Sequence, residues 1–165
     1  MSTPSRLPAR PTGATDFDFL IGEWHVRHRR LAYRLAGSTT WLEFAGRATA
    51  RTILGGLGNI DEMNIDLPGD SYLGATLRLF DASSGQWSIH WMDSRRPGLD
   101  PPMTGRFEGR TGVFYGDDTF DGRPIRVRFV WTAVSDTACR WEQAFSQDRG
   151  ASWEINWIME FTRAA

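Results

Sequence analysis

Lysine is absent from the 165 residues, and all 19 basic side chains are arginine. Schiff-base and other primary-amine side-chain chemistry is therefore excluded. An arginine-only basic set reads as the codon bias of a GC-rich genome, with the guanidiniums as surface charge rather than repeated carboxylate or phosphate readers. Cysteine occurs once, at Cys139, so neither an internal disulfide nor a multi-cysteine metal site can form. Strand-like residues flank it, which makes it a small core hydrophobe. The formal net charge is −1, which offers no overall field to nucleic acid or anionic lipid. No apolar run approaches the roughly 18 residues that cross a bilayer. Residues 1–15 are polar, carry Pro4, Pro8 and Pro11, and lack the apolar stretch of a signal peptide. The expectation is a flexible leader over 1–15, a cytoplasmic location, and no membrane or nucleic-acid partner.

What is abundant is aromatic. Eight tryptophans and ten phenylalanines stand in a chain that is 41% hydrophobic and 24% charged. That composition and length fit one domain, over 16–165, able to bury a core without metal or disulfide. The first element reads as a short N-terminal helix: Thr15 and Asp18 approximate a capping box, Phe17, Leu20 and Ile21 supply an apolar face, and Gly22 is the stop. Beyond Gly22, aromatic and β-branched segments alternate with turn residues such as Pro68-Gly69-Asp70, Asp121-Gly122 and Asp148-Arg149-Gly150. The expected strands are 23–34, 39–54, 58–66, 72–80, 86–94, 103–108, 112–120, 124–134, 138–147 and 153–163. Short connections make neighbours antiparallel. An open meander of that length would expose its edges, so the fold class is all-β: a ten-stranded up-and-down barrel.

Alternation assigns the faces. Trp153, Ile155, Trp157, Met159 and Phe161 fall together, opposite Glu154, Asn156 and Glu160. Cys139, Trp141, Gln143 and Phe145 oppose Arg140 and Glu142; Ile125, Val127, Phe129 and Trp131 oppose Arg126 and Arg128. Trp87, Ile89, Trp91 and Asp93 oppose Ser88 and His90. A hairpin turning at Ser135 would set Arg128 against Glu142 outside and Phe129 against Trp141 inside. Trp24 belongs at the closed end, beside the Phe17–Ile21 turn.

Several motifs suggest chemistry and reduce to structure. Ser146 to Trp153 matches the Asp-box, Ser-x-Asp-x-Gly-x-Ser-Trp, found in sialidases. One copy in a chain too short for a propeller makes it a hairpin device: the aspartate satisfies turn amides and the tryptophan anchors the returning strand. His25 and His28, three apart on a strand, face opposite sides and cannot share a metal; no metal site is expected. His28 shares its face with Trp24 and Val26. The basic run Arg27 to Arg30 is split between two faces. Leu54 to Asn59 is glycine-rich but has no Gly-Lys-Ser/Thr, so it is a strand-joining turn. The connection from Ser94 to Pro102, with Arg95, Arg96 and Asp100, suits a stiff rim at a barrel mouth. Asp93 on the aromatic face would titrate high unless Arg95 or a histidine neutralises it.

Phe17-Asp18-Phe19-Leu20-Ile21-Gly22-Glu23-Trp24 resembles the start of lipocalin-like (calycin) barrels, a turn leading through Gly-x-Trp into the first strand. With Leu54 to Gly58, Leu77 to Asp81, Glu142 to Ser146 running on to Trp153, and Asn156 to Arg163, the chain is similar to a bacterial family of calycin-like domains of unestablished function, over Asp16 to Arg163. The resemblance implies an interior cavity for a small apolar ligand. Nitrobindin-like relatives hold haem through a histidine late in the chain; here the last histidine is His90, and no cofactor is expected. Phenolic acid decarboxylases and allene oxide cyclases are calycin-like enzymes, but Tyr33, Tyr72 and Tyr115 do not reproduce a decarboxylase tyrosine–arginine–glutamate set.

The expected function is binding of a small apolar or aromatic molecule. Trp91, Trp131, Trp141 and Trp157 form the wall, Met159 is adaptable filler, and His28, Asp93, Gln143 and Tyr115 orient the ligand. The alternatives are a lyase or isomerase with His28 and Asp93 as acid and base, or a filled barrel without a ligand site. Monomer and homodimer are both open.

Overall fold

A computed structural model describes residues 7–165 of the chain. Ten strands follow one another: β1 (Gly22–Leu31), β2 (Trp41–Ile53), β3 (Gly58–Leu67), β4 (Asp70–Asp81), β5 (Gln86–Asp93), β6 (Met103–Glu108), β7 (Thr111–Phe120), β8 (Arg123–Ser135), β9 (Ala138–Ser146) and β10 (Glu154–Arg163). Every strand is antiparallel to its chain neighbours, and β1 pairs with β10, so the meander closes on itself. Closure removes the unpaired edges that a ten-strand open sheet would present.

Side chains alternate between the interior and solvent as the period of two requires. On β4, Tyr72, Gly74, Thr76, Arg78 and Phe80 are buried; on β1, Trp24, Val26 and His28 are buried with Arg30 in line behind them. The interior divides into two halves. At the end where β1 begins, Phe17 plugs the barrel, its ring 5.0 Å from Trp87, 4.8 Å from Phe107 and 6.0 Å from Trp131. Trp24 Nε1 donates to the Leu20 carbonyl at 2.8 Å and Trp87 Nε1 to the Gly13 carbonyl at 3.2 Å. This end is packed shut.

The plug is not the helix that the sequence suggests. Asp18–Leu20 forms a single 3-10 turn with no side-chain cap. The apolar spacing of Phe17, Leu20 and Ile21 places rings into the barrel end instead of onto a helix face. Residues 10–15, expected in the leader, are also fixed here: Arg10 bonds the Asp18 carboxylate at 2.8 Å and the Gly56 carbonyl at 2.9 Å, and Ala14 is fully buried. The part of that leader spanning residues 1–6 lies outside the described residues.

Two further expectations are corrected by β-bulges. The β8–β9 pairing shifts between Ala133 and Ser135, so Trp131 faces Trp141 and Phe129 faces Gln143, two residues from the anticipated register. The shift is even, so the faces survive; Glu142 pairs with Arg140 on its own strand at 2.8 Å. The second bulge, between Ile155 and Trp157, makes the pattern of β10 odd at that point. Asn156 is therefore fully buried and Ile155 is 39% exposed, the reverse of simple alternation. Trp153, upstream of the bulge, lies outside the barrel with Arg128 4.6 Å from its ring centre.

The Asp-box segment is a hairpin device in the structure. Ser146 Oγ donates to Asp148 Oδ1 at 2.7 Å and accepts from the Gly150 amide at 2.8 Å; Asp148 accepts the Ser152 amide at 2.8 Å. Arg149 and Gly150 hold positive φ values of 60° and 94°. Cys139 is buried, and burial pushes its thiol up to about 12, which suits a core residue.

Candidate ligand-binding cavity

The other half of the barrel is not filled. A cavity of about 230 Å³ extends inward from the end where β1 finishes and β10 begins. Its side wall is aromatic: Trp141 and Trp157 meet edge to face at 5.6 Å, Trp91 lies 6.5 Å from Trp157, and Phe129 lies 5.0 Å from Trp141. These contacts fix the rings against one another, which keeps the wall in place without a ligand. Trp91 is also shaped by Gly74 across the sheet. A Cβ on Gly74 would come within 2.2 Å of the Trp91 ring, so only glycine leaves room for the indole there.

The floor is polar. Arg78 pairs with Asp61 at 2.5 Å and donates to Asn59 Oδ1 at 2.9 Å, with all three residues buried. Phe17 and Trp131 cover the guanidinium, their centres 5.3 and 5.2 Å from its carbon. Around this pair, Asp61 Oδ1, Arg78 Nε and Trp131 Nε1 are buried without a protein partner among the described residues. One acceptor and two donors are thus left unsatisfied beneath the deep end of the cavity.

The mouth carries four arginines. Arg95, on the β5–β6 connection, grips Asp93 through Nε at 3.2 Å and Nη2 at 3.1 Å, reaches Asp70 at 3.1 Å, and stacks 3.6 Å from the Tyr72 ring centre. Burial alone would raise the Asp93 carboxyl, but hydrogen bonds from the Arg95 side chain and amide and from Trp91 hold it below its ordinary value. Arg96 pairs with Asp100. Burial raises Asp100 from the usual carboxylate range, aided by Asp118 and Asp93 and opposed by Arg96. Arg30 lies over the Trp157 ring at 5.2 Å and Arg34 over Phe120 at 4.8 Å. Burial lowers both guanidiniums, Arg34 to about 10, with their mutual repulsion adding to the effect at Arg34. The rim expected at Ser94 to Pro102 stands here, with Arg95, Arg96, Asp100 and Pro101 on the cavity.

Of the residues singled out from sequence, Trp91, Asp93, Trp131, Trp141, Gln143 and Trp157 all line this cavity, as does Met159. His28 and Tyr115 do not. His28 is fully buried behind Trp157, whose Nε1 donates to His28 Nδ1 at 3.1 Å, and it stacks on Phe44 at 4.6 Å. Burial pushes it down to about 4, so the ring is neutral with its proton on Nε2. No hydrogen bond joins His28 to Asp93, which is held by Arg95 and Trp91. Tyr115 lies on the outer surface of β7, 38% exposed, between Trp153 and Arg126, because Phe114 takes the inward position. Gln143 donates to Asn156 Oδ1 at 3.0 Å, so the bulged residue braces this wall from behind.

Arg30, Arg34, Asp61, Tyr72 and Arg78 are cavity residues that the sequence reading passed over. Four of them carry a usable signal. Arg78 and Tyr72 share parity with Phe80, Asp61 with Met63 and Ile65, and Arg30 with Trp24 and Val26. Arg34 lies beyond the end of β1, where alternation has stopped.

Comparison with known proteins adds the fold and nothing finer. No protein-family model matches the chain, and no curated protein matches it. Among solved structures, the crystal structure of Rv2717c from M. tuberculosis is similar, with a TM-score of 0.63 at 8% identity, covering 94% of this chain and 100% of that one. At that identity the likeness is one of barrel architecture.

Proposed function

We propose that the chain is a cytoplasmic, calycin-like barrel that binds a small flat molecule of one or two rings. The observation that carries this reading is the half-empty barrel. One end is plugged by Phe17, Trp87 and Trp131, while the other keeps about 230 Å³ of space behind a wall of mutually braced tryptophans. A core that needed only to be filled would close both ends, since voids cost stability. An apolar cavity of about 150 Å³ admits benzene, so this volume suits one ring with substituents or two fused rings. The outward residues of the barrel, Arg27, Glu43, Arg47, Glu62 and Asp66 among them, are charged and exposed. A membrane barrel presents an apolar band there, which favours an aqueous location.

Tryptophan fluorescence tests the reading directly, because Trp91, Trp141 and Trp157 line the cavity. Naphthalene is expected to change the emission saturably with a stoichiometry of one. A flat response to naphthalene and to a panel of one- and two-ring molecules, from protein with native circular dichroism, would overturn it.

A further inference from the structure

The four mouth arginines are not equivalent. Arg95 and Arg96 are held by Asp93, Asp70 and Asp100. Arg30 and Arg34 make no ion pair and no side-chain hydrogen bond with any described residue, although both line the cavity. Each lies over aromatic rings, Arg30 over Trp157 at 5.2 Å and Arg34 over Phe120 at 4.8 Å and Phe145 at 5.5 Å. Stacking of this kind satisfies the face of a guanidinium and leaves its in-plane N–H donors free. Two such cations drawn over one aromatic wall repel each other and are partly desolvated, so an anion between them gains charge-assisted hydrogen bonds. Of the carboxylates nearby, Asp70 and Asp93 are committed to Arg95, Asp100 to Arg96, and Asp118 to the Thr119 amide, while Asp117, which also lines the cavity, is exposed and bonds neither Arg30 nor Arg34. Asp121 and Tyr72 are close enough to favour the Arg34 charge but are not bonded to it.

We infer that the ligand carries a carboxylate, seated at the mouth on the free donors of Arg30 and Arg34, with its ring system on Trp91, Trp141 and Trp157. The inference rests on the binding reading above. A carboxylate rather than a phosphate fits, because Asp93, Asp100 and Asp118 border the same mouth and repel a dianion more strongly.

The test compares 2-naphthoate, its neutral isostere 2-naphthamide, and 2-naphthyl phosphate by tryptophan fluorescence and calorimetry. The wild-type protein is expected to bind naphthoate at least tenfold tighter than naphthamide. Arg34→Gln and Arg30→Gln each abolish that preference by weakening naphthoate far more than naphthamide, and Arg34→Lys keeps part of it. Arg34 lies in the β1–β2 connection, so its variant decides the matter if Arg30→Gln fails to fold. Equal affinity for naphthoate and naphthamide, or a preference that survives both glutamine variants, overturns the inference and leaves the binding reading standing. Tighter binding of the phosphate than of the carboxylate also overturns it. If none of the three probes nor naphthalene binds, both readings fall together.

Discussion

Asp61→Asn is the substitution with the sharpest expected consequence. Asp61 and Arg78 are 5% and 2% exposed, with a nitrogen–oxygen distance of 2.5 Å. The change keeps the side-chain volume and removes the anion. Arg78 then has the Asn59 carbonyl oxygen, at 2.9 Å, and two aromatic faces, but no counter-charge. Leaving one partner of a buried pair uncompensated costs about 3–5 kcal/mol, against roughly 0–1 kcal/mol for an exposed pair. With a urea m-value of about 2 kcal/mol/M for a domain of this size, the unfolding midpoint should fall by roughly 1.5–2.5 M with little change in slope. Urea titration followed by near-ultraviolet circular dichroism measures it. The double variant Asp61→Leu with Arg78→Met should recover most of the loss, since buried pairs are often replaced by apolar residues at little cost. A loss below about 1 kcal/mol for Asp61→Asn would refute the reasoning, because it would mean that the floor is solvated and the pair is not sealed beneath the cavity.

His28 gives a pH dependence of definite sign. Its folded value of about 4 lies below the ordinary 6.5, so between the two the unfolded chain binds a proton that the folded chain refuses. Stability should fall by up to roughly 3 kcal/mol as pH drops through that window, and urea titrations of His28→Gln should show a flatter profile than wild type. Gly46→Ala should cost about 1–3 kcal/mol by overpacking, because the new Cβ would lie 2.4 Å from the Asn64 carbonyl oxygen and 2.9 Å from His28 Nε2; thermal unfolding measures it. Asp148 is held down to about 2, chiefly by the hydroxyl and amide of Ser152. Its contribution is present above its ordinary value of 3.8 and is lost as pH falls toward 2, so Asp148→Asn should show less acid sensitivity in that range.

Alternation carried most of the architecture from the sequence. The ten expected segments became ten strands, and the faces assigned to Trp91, Trp131, Trp141 and Trp157 hold in the structure. What failed did so where the period of two is locally broken. The bulge at Ile155/Trp157 inverts one step of β10, so Asn156 moves inside and Trp153 outside; no residue type announces it. The register of β8 against β9 depends on where the turn sits, and β8 runs on to Ser135 past an irregularity. The plug departs from the expected helix because a helix and a single 3-10 turn can carry the same apolar spacing over a few residues. The polar half of the cavity was legible in part. Arg78, Asp61 and Arg30 have inward parity, but charged side chains are ordinarily solvated, and only pairing across β3 and β4 makes the interior position of Arg78 and Asp61 tolerable. Tyr115 has outward parity on β7, and its neighbour Phe114 is the inward ring.

The central claim is that the open half of the barrel is a binding space and not a packing defect. Val127 is 5% exposed and lines the cavity, so Val127→Phe should fill part of it with an apolar ring. Calorimetric titration of naphthalene into wild type and this variant is the decisive measurement. The account predicts one saturable site in wild type, and its loss in Val127→Phe with the melting temperature unchanged or raised. Undiminished binding in the filled variant, or a cavity filled at no loss because wild type binds nothing, would contradict it.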